Sequence, residues 1–115
     1  MLLIEAIVRP EKADAICEEL LSAGFPGVSK MDVYGRGKQR GIIAGGIQYD
    51  DLPKTLLMFF VNDEDKDDFV RIIMKVARSG EKGAYGDGRV FVTPVTESYT
   101  VSSGSRDELS TAVAS

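Results

Sequence analysis

Apolar and polar residues alternate along the first strand-length stretch of the chain. Every second residue from position 2 to position 8 is apolar, and Glu5 falls on the other face. A period of two is typical of a β-strand with one buried face. Pro10 follows, and proline has no backbone N–H to give to a strand ladder. The pattern therefore predicts a first strand whose buried face consists of Leu2, Ile4, Ala6 and Val8.

Two stretches carry apolar residues at spacings of three and four, the period of a helix with one buried face. The first helix is predicted within residues 11–24, with Gly24 as its C-terminal cap. Its apolar stripe consists of Ala13, Ile16, Cys17, Leu20 and Leu21. The second is predicted over residues 63–80, with acids in its first turn and Lys75 and Arg78 in its last, as the helix dipole favours. Its core-facing residues are Phe69, Ile73, Val76 and Ala77.

Three further strands complete the order of elements. Residues 27–34 suit a strand, residues 55–61 form a continuous apolar run typical of a central strand, and residues 89–95 form the last strand. The order βαββαβ predicts an α+β fold, a ferredoxin-like sandwich with a four-stranded antiparallel sheet and both helices on one face. The open face of such a sheet needs a partner. We expect the domain to span residues 1–104, followed by a mobile polar tail over residues 105–115.

Two glycine-rich segments interrupt this order. The longer one lies between the second and third strands, runs from Gly35 to Asp51 and contains five glycines. Loops of this length inside compact domains are usually functional or disordered. It begins with "GRGKQRG", which places three cations among three glycines in a chain of net charge −4. The shorter segment, "SGEKGAYGDG", precedes the last strand. The basic stretch is therefore interpreted as a local site in an acidic protein.

Composition excludes several classes of function. An acidic chain lacks the overall basic footprint of a dedicated nucleic-acid binder. The chain has no histidine, so it lacks the commonest general base and zinc ligand, and its one cysteine, Cys17, is interpreted as a small buried thiol. No apolar run approaches the roughly 20 residues of a membrane span, and no signal peptide is recognisable. We expect a cytoplasmic protein that is not an enzyme.

Both glycine-rich loops leave strand ends, so they can meet at one edge of the domain. Glycine permits positive φ and lets backbone N–H groups approach an anion closely. Asp87 is available there for a hydroxyl or an amino group. The cations available to such a site are Arg36, Lys38, Arg40, Lys82 and Arg89. Because neither the Walker A pattern nor G-x-G-x-x-G opening a helix is present, the residues leave two interpretations open: a phosphate-binding cleft, or glycine turns of no special purpose.

Three segments together resemble a known family. They are "DVYGRGKQRG", "LPKTLLMFFV" and "GDGRVFVTPV", and the sequence is similar to the P-II nitrogen-regulatory signalling family nearly from end to end. The stretches "RPEKAD" and "GRGKQRG", with a shortened central loop, are most similar to the variants encoded beside nitrogenase in archaea and some anaerobic bacteria. The resemblance implies a homotrimer that binds ATP or ADP in clefts between subunits. It also implies binding of 2-oxoglutarate with Mg²⁺ in the ATP state.

The resemblance assigns roles to individual residues. The loop over residues 36–51 would change shape and contact a target in nitrogen metabolism, such as nitrogenase, glutamine synthetase or an ammonium transporter, with a paralogue as a further candidate partner. The residues that match the nucleotide site are Ser29, Gly35, Gly37, Lys38, Gly86, Asp87, Gly88 and Arg89. The residues that match the 2-oxoglutarate site are Arg9, Gln39, Arg40, Gly41 and Lys54, and Gln39 also matches the Mg²⁺ ligand.

Some positions depart from the family pattern. The tail reads "TVSSG" where the family has "RIRTG", so Thr100 and Ser102 stand in place of arginines that contact the nucleotide phosphates. Met58 matches a position where the family has glutamate. The central loop is shorter than in the family. Tyr49 does not align with the tyrosine that is covalently modified in some family members. These departures leave affinity, preferred nucleotide and covalent control open.

Three other interpretations compete with nitrogen signalling. The order βαββαβ is also that of RNA-recognition domains, but "GRVFVTPV" lacks their paired aromatic residues and the chain is acidic. An enzyme would have to work with lysines and carboxylates alone. A divergent P-II-like sensor of adenine nucleotides, or of another metabolite such as bicarbonate, is the main alternative because the tail arginines are missing.

Overall fold

The computed structural model describes residues 1–35 and 52–109, and the segments 36–51 and 110–115 lie outside this description. The described residues form two helices, four long strands and two short strands, and a 3₁₀ turn over Asp63–Asp65 leads into the second helix. In chain order these elements are β1 (Leu2–Val8), α1 (Pro10–Ser22), β2 (Ser29–Gly35), β3 (Leu52–Val61), α2 (Lys66–Ala77), β4 (Gly88–Pro94), β5 (Tyr99–Thr100) and β6 (Ser105–Arg106).

The four long strands form one antiparallel sheet in the order β2-β3-β1-β4. The central strand β1 pairs with both β3 and β4, and Ile4 lies opposite Phe59 on one side and Val92 on the other. Both helices cover the same face, as the burial of their apolar residues against the sheet shows. The α+β fold that the sequence predicts, a ferredoxin-like βαββαβ sandwich, is therefore confirmed.

The core lies between the sheet and the two helices. The alternation along β1 buries Ile4, Ala6 and Val8 as predicted, while Leu2 is only half-buried at the strand end. Phe69 of α2 packs edge-on against Phe59 of β3, with ring centroids 4.7 Å apart. Each fully buried side chain of this size stabilises the fold by about 1.5–3 kcal/mol relative to an exposed one. The remaining core residues are Ala13, Ile16, Leu20, Leu57, Val61, Ile73 and Ala77.

The helices differ from their predicted form in three details. Leu21, expected on the apolar stripe of α1, is 60% exposed, because it lies at the edge of that stripe and turns away from the sheet. Cys17 is half-buried rather than fully buried, although its burial raises the pKa of the thiol. α2 ends at Ala77, so Arg78 is its extended C-cap and not part of its last turn. Ala23 is the C-cap of α1, and Gly24, predicted as the cap, follows it with φ of 95°, the left-handed position that commonly ends a helix.

The face of the sheet away from the helices carries exposed apolar side chains. Met31 of β2, Phe60 of β3 and Phe91 of β4 project on this face and are 48%, 40% and 45% exposed. Between β3 and β4, Glu5 of β1 lies opposite Met58 and Phe91. The single chain leaves this face without a covering layer among the residues that the structure describes.

The short strands β5 and β6 pair with each other after the main sheet ends. Asp107 holds this hairpin together, because its carboxylate accepts hydrogen bonds from Ser98 Oγ at 2.7 Å and Thr100 Oγ1 at 2.6 Å. Residues 105–109 thus belong to the described structure, whereas the rest of the tail lies outside it. The division of the chain at residue 104 stays a prediction.

Candidate functional site

One end of the sheet brings together residues that are far apart in the sequence. β2 and β1 end there, at Gly35 and Val8, and β3 and β4 begin there. Gly35 lies opposite Leu52, and Val8 lies opposite Gly88. Three strand spacings of about 4.8 Å separate the two edge strands, so this end of the sheet is about 14 Å wide. We call the group formed by Arg9, Lys54 and residues 84–88 the sheet-end cluster.

Glycines shape the loop that joins α2 to β4. Gly80, Gly83, Gly86 and Gly88 all have positive φ, between 68° and 115°. At Gly88 the requirement is strictest, because a Cβ built there would lie 1.8 Å from the carbonyl oxygen of Ile7. The close approach of this backbone to β1 leaves no room for any other residue. The conformational use of glycine that the sequence suggested is thus present in this loop.

Asp87 organises the same loop. Its Oδ2 accepts hydrogen bonds from the backbone N–H groups of Ser79, at 3.0 Å, and Ala84, at 2.8 Å. Its Oδ1 accepts one from Nε of Arg9 at 3.1 Å. Burial raises the pKa of Asp87, but the hydrogen bonds from Ser79, Ala84 and Arg9 outweigh burial and hold that pKa well below its usual range. The carboxylate is therefore largely occupied within the chain, which corrects the expectation that it is available for a ligand's hydroxyl or amino group.

Two cations hold the loop from the side of the sheet. Arg9 donates from Nη2 to the carbonyl oxygen of Tyr85 at 2.7 Å, and Lys54 donates from Nζ to that of Gly86 at 2.6 Å. Burial lowers the pKa of Lys54, and the nearby Arg9 guanidinium lowers it further, while Glu11 and Asp87 oppose the shift. The side chain of Lys54 also passes near Gly35, since a Cβ there would lie 3.9 Å from its Cγ. Lys54 therefore connects the end of β2 with the glycine loop.

The structure brings together only part of the predicted site. Gly35, Gly86, Asp87, Gly88 and Arg89 lie at the same end of the sheet as Arg9 and Lys54. The other predicted ligands from the basic stretch lie outside the described residues, and they are Gly37, Lys38, Gln39, Arg40 and Gly41. Arg36 and Tyr49 lie outside as well.

Ser29 lies away from this cluster. It pairs with Met58 and is six residues from Gly35 along β2, a distance of about 20 Å in an extended strand. Within one chain, Ser29 and Gly35 are therefore too far apart to contact the same phosphate group. Ser29 and Gly35 of one chain could contact one nucleotide only if that nucleotide lay along the whole length of β2.

The tail positions that depart from the family pattern are engaged locally or exposed. Thr100 donates its hydroxyl to Asp107, and the adjoining residues, including Ser102, are exposed. Arg106 lies opposite Tyr99 in the hairpin and forms an exposed ion pair with Glu97 at 3.6 Å. The role of Asp107 as an acceptor for two hydroxyls was not predicted, because nothing in the spacing of these residues indicates a hairpin.

Sequence reasoning also missed what Arg9 and Lys54 contact. Their partners are backbone carbonyls of the 79–88 loop, more than 30 residues away along the chain. The register of Val8 opposite Gly88 on one side and Thr55 on the other brings these groups together. Among the described residues, no cluster of three acidic, cysteine or histidine side chains could hold a metal, and no described helix is long and apolar enough to span a membrane.

Comparison with known proteins identifies the family. The model of the family "Nitrogen regulatory protein P-II" matches residues 1–105. The "Nitrogen fixation nifHD region GlnB-like protein 1" of Methanothermococcus thermolithotrophicus is 46% identical over 104 residues, which cover 90% of this chain and 96% of that protein. The "Nitrogen fixation nifHD1 region GlnB-like protein 1" of Methanosarcina barkeri is 48% identical over the same shares of the two chains.

A second type of relative is more distant. The "Nitrogen fixation nifHD region glnB-like protein 2" of Methanococcus maripaludis is 38% identical over 120 aligned positions, which cover 91% of this chain and 95% of that protein. The resemblance read from "GRGKQRG" and "GDGRVFVTPV" is thus confirmed over most of the chain. The protein belongs to the P-II family of nitrogen regulatory proteins.

Proposed function

We propose that this protein is a non-enzymatic signalling protein that binds ATP or ADP together with 2-oxoglutarate and regulates a target in nitrogen metabolism. The observation that carries the proposal is the convergence of Arg9 and Lys54 on the glycine loop at one end of the sheet. The names of the relatives, which refer to nitrogen fixation regions, favour the nitrogen context. The protein would act in the cytoplasm.

The nucleotide phosphates would contact the glycine loop. Residues 86–88 include two glycines with positive φ, a conformation that leaves backbone N–H groups accessible to an anion. In register, Arg89 lies opposite Ile7 and so shares the open face of the sheet with it. We assign the phosphate contacts to Gly86, Gly88 and Arg89 with Gly35, Gly37 and Lys38. Asp87 holds the loop in shape, and Ser29 would come from a neighbouring subunit.

A dicarboxylate such as 2-oxoglutarate would bind Arg9 and Lys54. Lys54 and the Nη2 group of Arg9 donate to neutral carbonyl oxygens, while Nε of Arg9 donates to Asp87. Hydrogen bonds to a carboxylate are roughly twice as strong as those to neutral acceptors. A ligand carboxylate would therefore compete well for these donors. Gln39, Arg40 and Gly41 would complete the site. The amide oxygen of Gln39 would hold Mg²⁺, a hard cation that prefers oxygen ligands.

Assembly and output follow from two further features. The apolar face of the sheet has no covering layer in the described chain, which supports a homotrimer with this face inside. Nucleotide sites would then lie between subunits, in agreement with the distance between Ser29 and Gly35. The 36–51 segment would contact the target, for which nitrogenase, glutamine synthetase and an ammonium transporter are the candidates. A paralogue could join the same assembly.

Calorimetric titration tests this proposal. ATP, ADP and AMP are titrated into the protein with and without 2-oxoglutarate and Mg²⁺. We expect ATP and ADP to bind, and 2-oxoglutarate to bind only with Mg-ATP. Gln39→Ala and Lys54→Ala should abolish 2-oxoglutarate binding and leave ADP binding nearly unchanged, whereas the control Lys30→Ala should change neither. Absence of nucleotide binding would contradict the whole proposal.

One observation favours a second candidate function. Thr100 stands where the family has a phosphate-contacting arginine, and its hydroxyl is donated to Asp107. A tail without these cations suits a divergent sensor of adenine nucleotides, or of another metabolite such as bicarbonate. If the protein binds nucleotide but shows no 2-oxoglutarate binding with saturating Mg-ATP, this second function replaces nitrogen sensing.

A further inference from the structure

A cleft lies on the helix-covered side of the molecule, between α2 and the 79–88 loop. Its volume is about 650 Å³. Arg71, Met74 and Lys75 line one wall, and their spacing of three and four residues places them on one face of α2. Arg78, the extended C-cap of α2, continues this wall. This face is exposed, because α2 turns Phe69, Ile73 and Ala77 towards the core instead. The opposite wall is the loop over residues 80–84.

The charges around the cleft are predominantly positive. Arg71, Lys75, Arg78 and Lys82 line it together with Arg89, whereas the acids there are Glu81 and Asp87. The Asp87 carboxylate already accepts three hydrogen bonds from the chain. Lys75, Arg78 and Lys82 form no ion pair among residues 1–35 and 52–109, and Arg71 pairs only with the exposed Asp68. In a chain of net charge −4, this concentration of cations in a concave surface focuses a positive potential.

The floor of the cleft is apolar. Val8, Ala77 and Val90 line it. Met74 adds a flexible thioether side chain that is 56% exposed. Methionine adapts its shape to a ligand and makes favourable contacts with aromatic rings. The loop lies close to Arg78 at Gly83, where a Cβ would be 3.3 Å from Nε of Arg78.

This cleft overlaps the sheet-end cluster in part, because Ala84, Asp87 and Gly88 line both. The two differ in the side of the sheet they use. Val90, which lines the cleft, lies opposite Ala6 on the face that the helices cover. The cleft therefore lies on the helix side of the sheet, and Arg9 and Lys54 do not line it. The 79–88 loop stands between the two places, with its Tyr85 and Gly86 carbonyls towards Arg9 and Lys54.

We propose that this cleft is a second ligand site, for a phosphorylated small molecule with a flat apolar body. Its volume falls within the roughly 300–1,000 Å³ of small-molecule pockets, and such pockets combine an apolar lining with a few placed polar groups. The cations of α2 and Lys82 bind the phosphates, and the apolar body lies against Met74. A lysine near the C-terminal end of a helix is favoured by the helix dipole, which explains Lys75 without a ligand. This explanation does not apply to Lys82, which lies on the facing loop.

Methyl NMR with ADP as the probe tests the site directly. The chain has four methionines, and Met74 alone lies in the cleft, whereas Met31 and Met58 lie on the open face of the sheet. With methyl-labelled methionine, we expect ADP to shift the Met74 signal in a saturable way, because the adenine ring lies over that methyl group. Adenosine, which has no phosphates, should cause no saturable shift of Met74 at the same concentrations.

Charge reversal supplies the matched comparison. The double variant Arg71→Glu/Lys75→Glu should weaken the Met74 response to ADP at least tenfold. The double variant Lys12→Glu/Lys66→Glu changes the net charge equally at residues that do not line the cleft, and it should respond like the parent. If Arg71→Glu/Lys75→Glu unfolds, the neutral pair Arg71→Gln/Lys75→Gln is used with the same expectation.

The outcomes separate this site from the proposed function. An unmoved Met74 signal at ADP concentrations that saturate binding by calorimetry would overturn the second site and leave the proposed function intact. A Met74 response that persists unchanged in Arg71→Glu/Lys75→Glu, or an equal response to adenosine, would also overturn it. A response that depends on Arg71 and Lys75 in a protein whose ADP binding is insensitive to Arg89→Ala would support the second site while counting against the assigned phosphate contacts.

Discussion

At the scale of single residues, Gly88 shows how closely the backbone of the 79–88 loop approaches β1. Its φ of 115° is unfavourable for any side chain, and a Cβ would overlap the Ile7 carbonyl oxygen at 1.8 Å. We expect Gly88→Ala to lower the free energy of unfolding by about 2–4 kcal/mol, because both the strained backbone and the overlap must be relieved. Urea unfolding followed by circular dichroism measures this change.

Gly104 provides the control for Gly88. It also has positive φ, at 67°, but a Cβ there would meet nothing within 4 Å. Gly104→Ala should therefore lower the free energy of unfolding only by the cost of the left-handed backbone, about 1–2 kcal/mol. Equal losses of stability in the two variants would mean that the contact with Ile7 adds nothing to the requirement for glycine.

The carboxylate of Asp87 makes the stability of the protein depend on pH. Its pKa in the folded protein is lower than in the unfolded chain, where it is about 3.9, so its contribution is complete above pH 4 and is lost as the pH falls towards the folded pKa. Asp87→Asn should destabilise the protein by about 2 kcal/mol or more at pH 7, since it weakens hydrogen bonds to a charged acceptor. The difference between parent and variant should narrow as the pH falls below about 4.

Urea midpoints measured from pH 7 down to pH 3 check this expectation for Asp87. Asp107 serves for comparison, because hydrogen bonds from Thr100 and Ser98 also lower its pKa, but it lies in the tail hairpin away from the core. Asp107→Asn should change stability much less at every pH. A constant difference between parent and Asp87→Asn across the whole range would show that the charge of Asp87 does not stabilise the loop.

At the scale of elements, the 79–88 loop is held by side chains from two strand ends. Lys54 binds the Gly86 carbonyl and Arg9 binds that of Tyr85. Removing one such hydrogen bond lowers the free energy of local opening by about 1–2 kcal/mol, a factor of about 5–30 in the opening equilibrium. We expect Lys54→Met to accelerate hydrogen exchange at the amides of Ala84 and Asp87 by that factor.

Exchange in β1 and β3 should stay unchanged in Lys54→Met, because the sheet does not depend on this contact. Lys30→Met is the matched control, since Lys30 forms only an exposed ion pair with Asp14 at 3.3 Å, and such pairs contribute little. If the two variants exchange alike at Ala84, the lysine does not hold the loop.

The elements that the sequence predicts best are those whose burial pattern is local. The alternation along β1 and the spacing of Phe69, Ile73 and Ala77 in α2 repeat within a few residues, so they can be read directly. The prediction that Leu21 faces the core was wrong, because the sequence pattern does not show where the buried stripe of a helix ends. The contacts of Arg9 were not predictable, since they depend on the register between β1 and β4.

At the scale of the whole molecule, the predicted site differs from the observed cluster because contacts between distant parts of the chain cannot be read from local sequence patterns. The family resemblance assigned Gly35 and Gly86 to the nucleotide site and Lys54 to the 2-oxoglutarate site, and the topology explains why these positions meet at one sheet end. The cleft beside α2 could have been suspected from the spacing of Arg71, Lys75 and Arg78. Its facing wall could not, because the path of the glycine loop depends on hydrogen bonds to Asp87.

The open face of the sheet is the surface through which we expect copies of the chain to associate. Phe60, Phe91 and Met31 expose apolar surface on the same face of the sheet, and exposed apolar surface on one face marks an interaction surface. If three copies pack with these faces inside, a buried carboxylate at position 91 would have to be desolvated without a partner. We therefore expect Phe91→Asp to dissociate the proposed trimer and leave the fold of each chain intact.

Sedimentation at micromolar concentration tests this prediction. The parent should sediment at about three times the chain mass of 12.5 kDa, and Phe91→Asp at about that mass. Leu21→Asp introduces the same charge at a side chain that is 60% exposed on the helix side of the molecule, so it should remain trimeric. Dissociation by Leu21→Asp alone would mean that the helices form the interface. A parent that sediments as a monomer would contradict the trimer, and the sheet face would then need some other partner, because its apolar side chains stay exposed in a single chain.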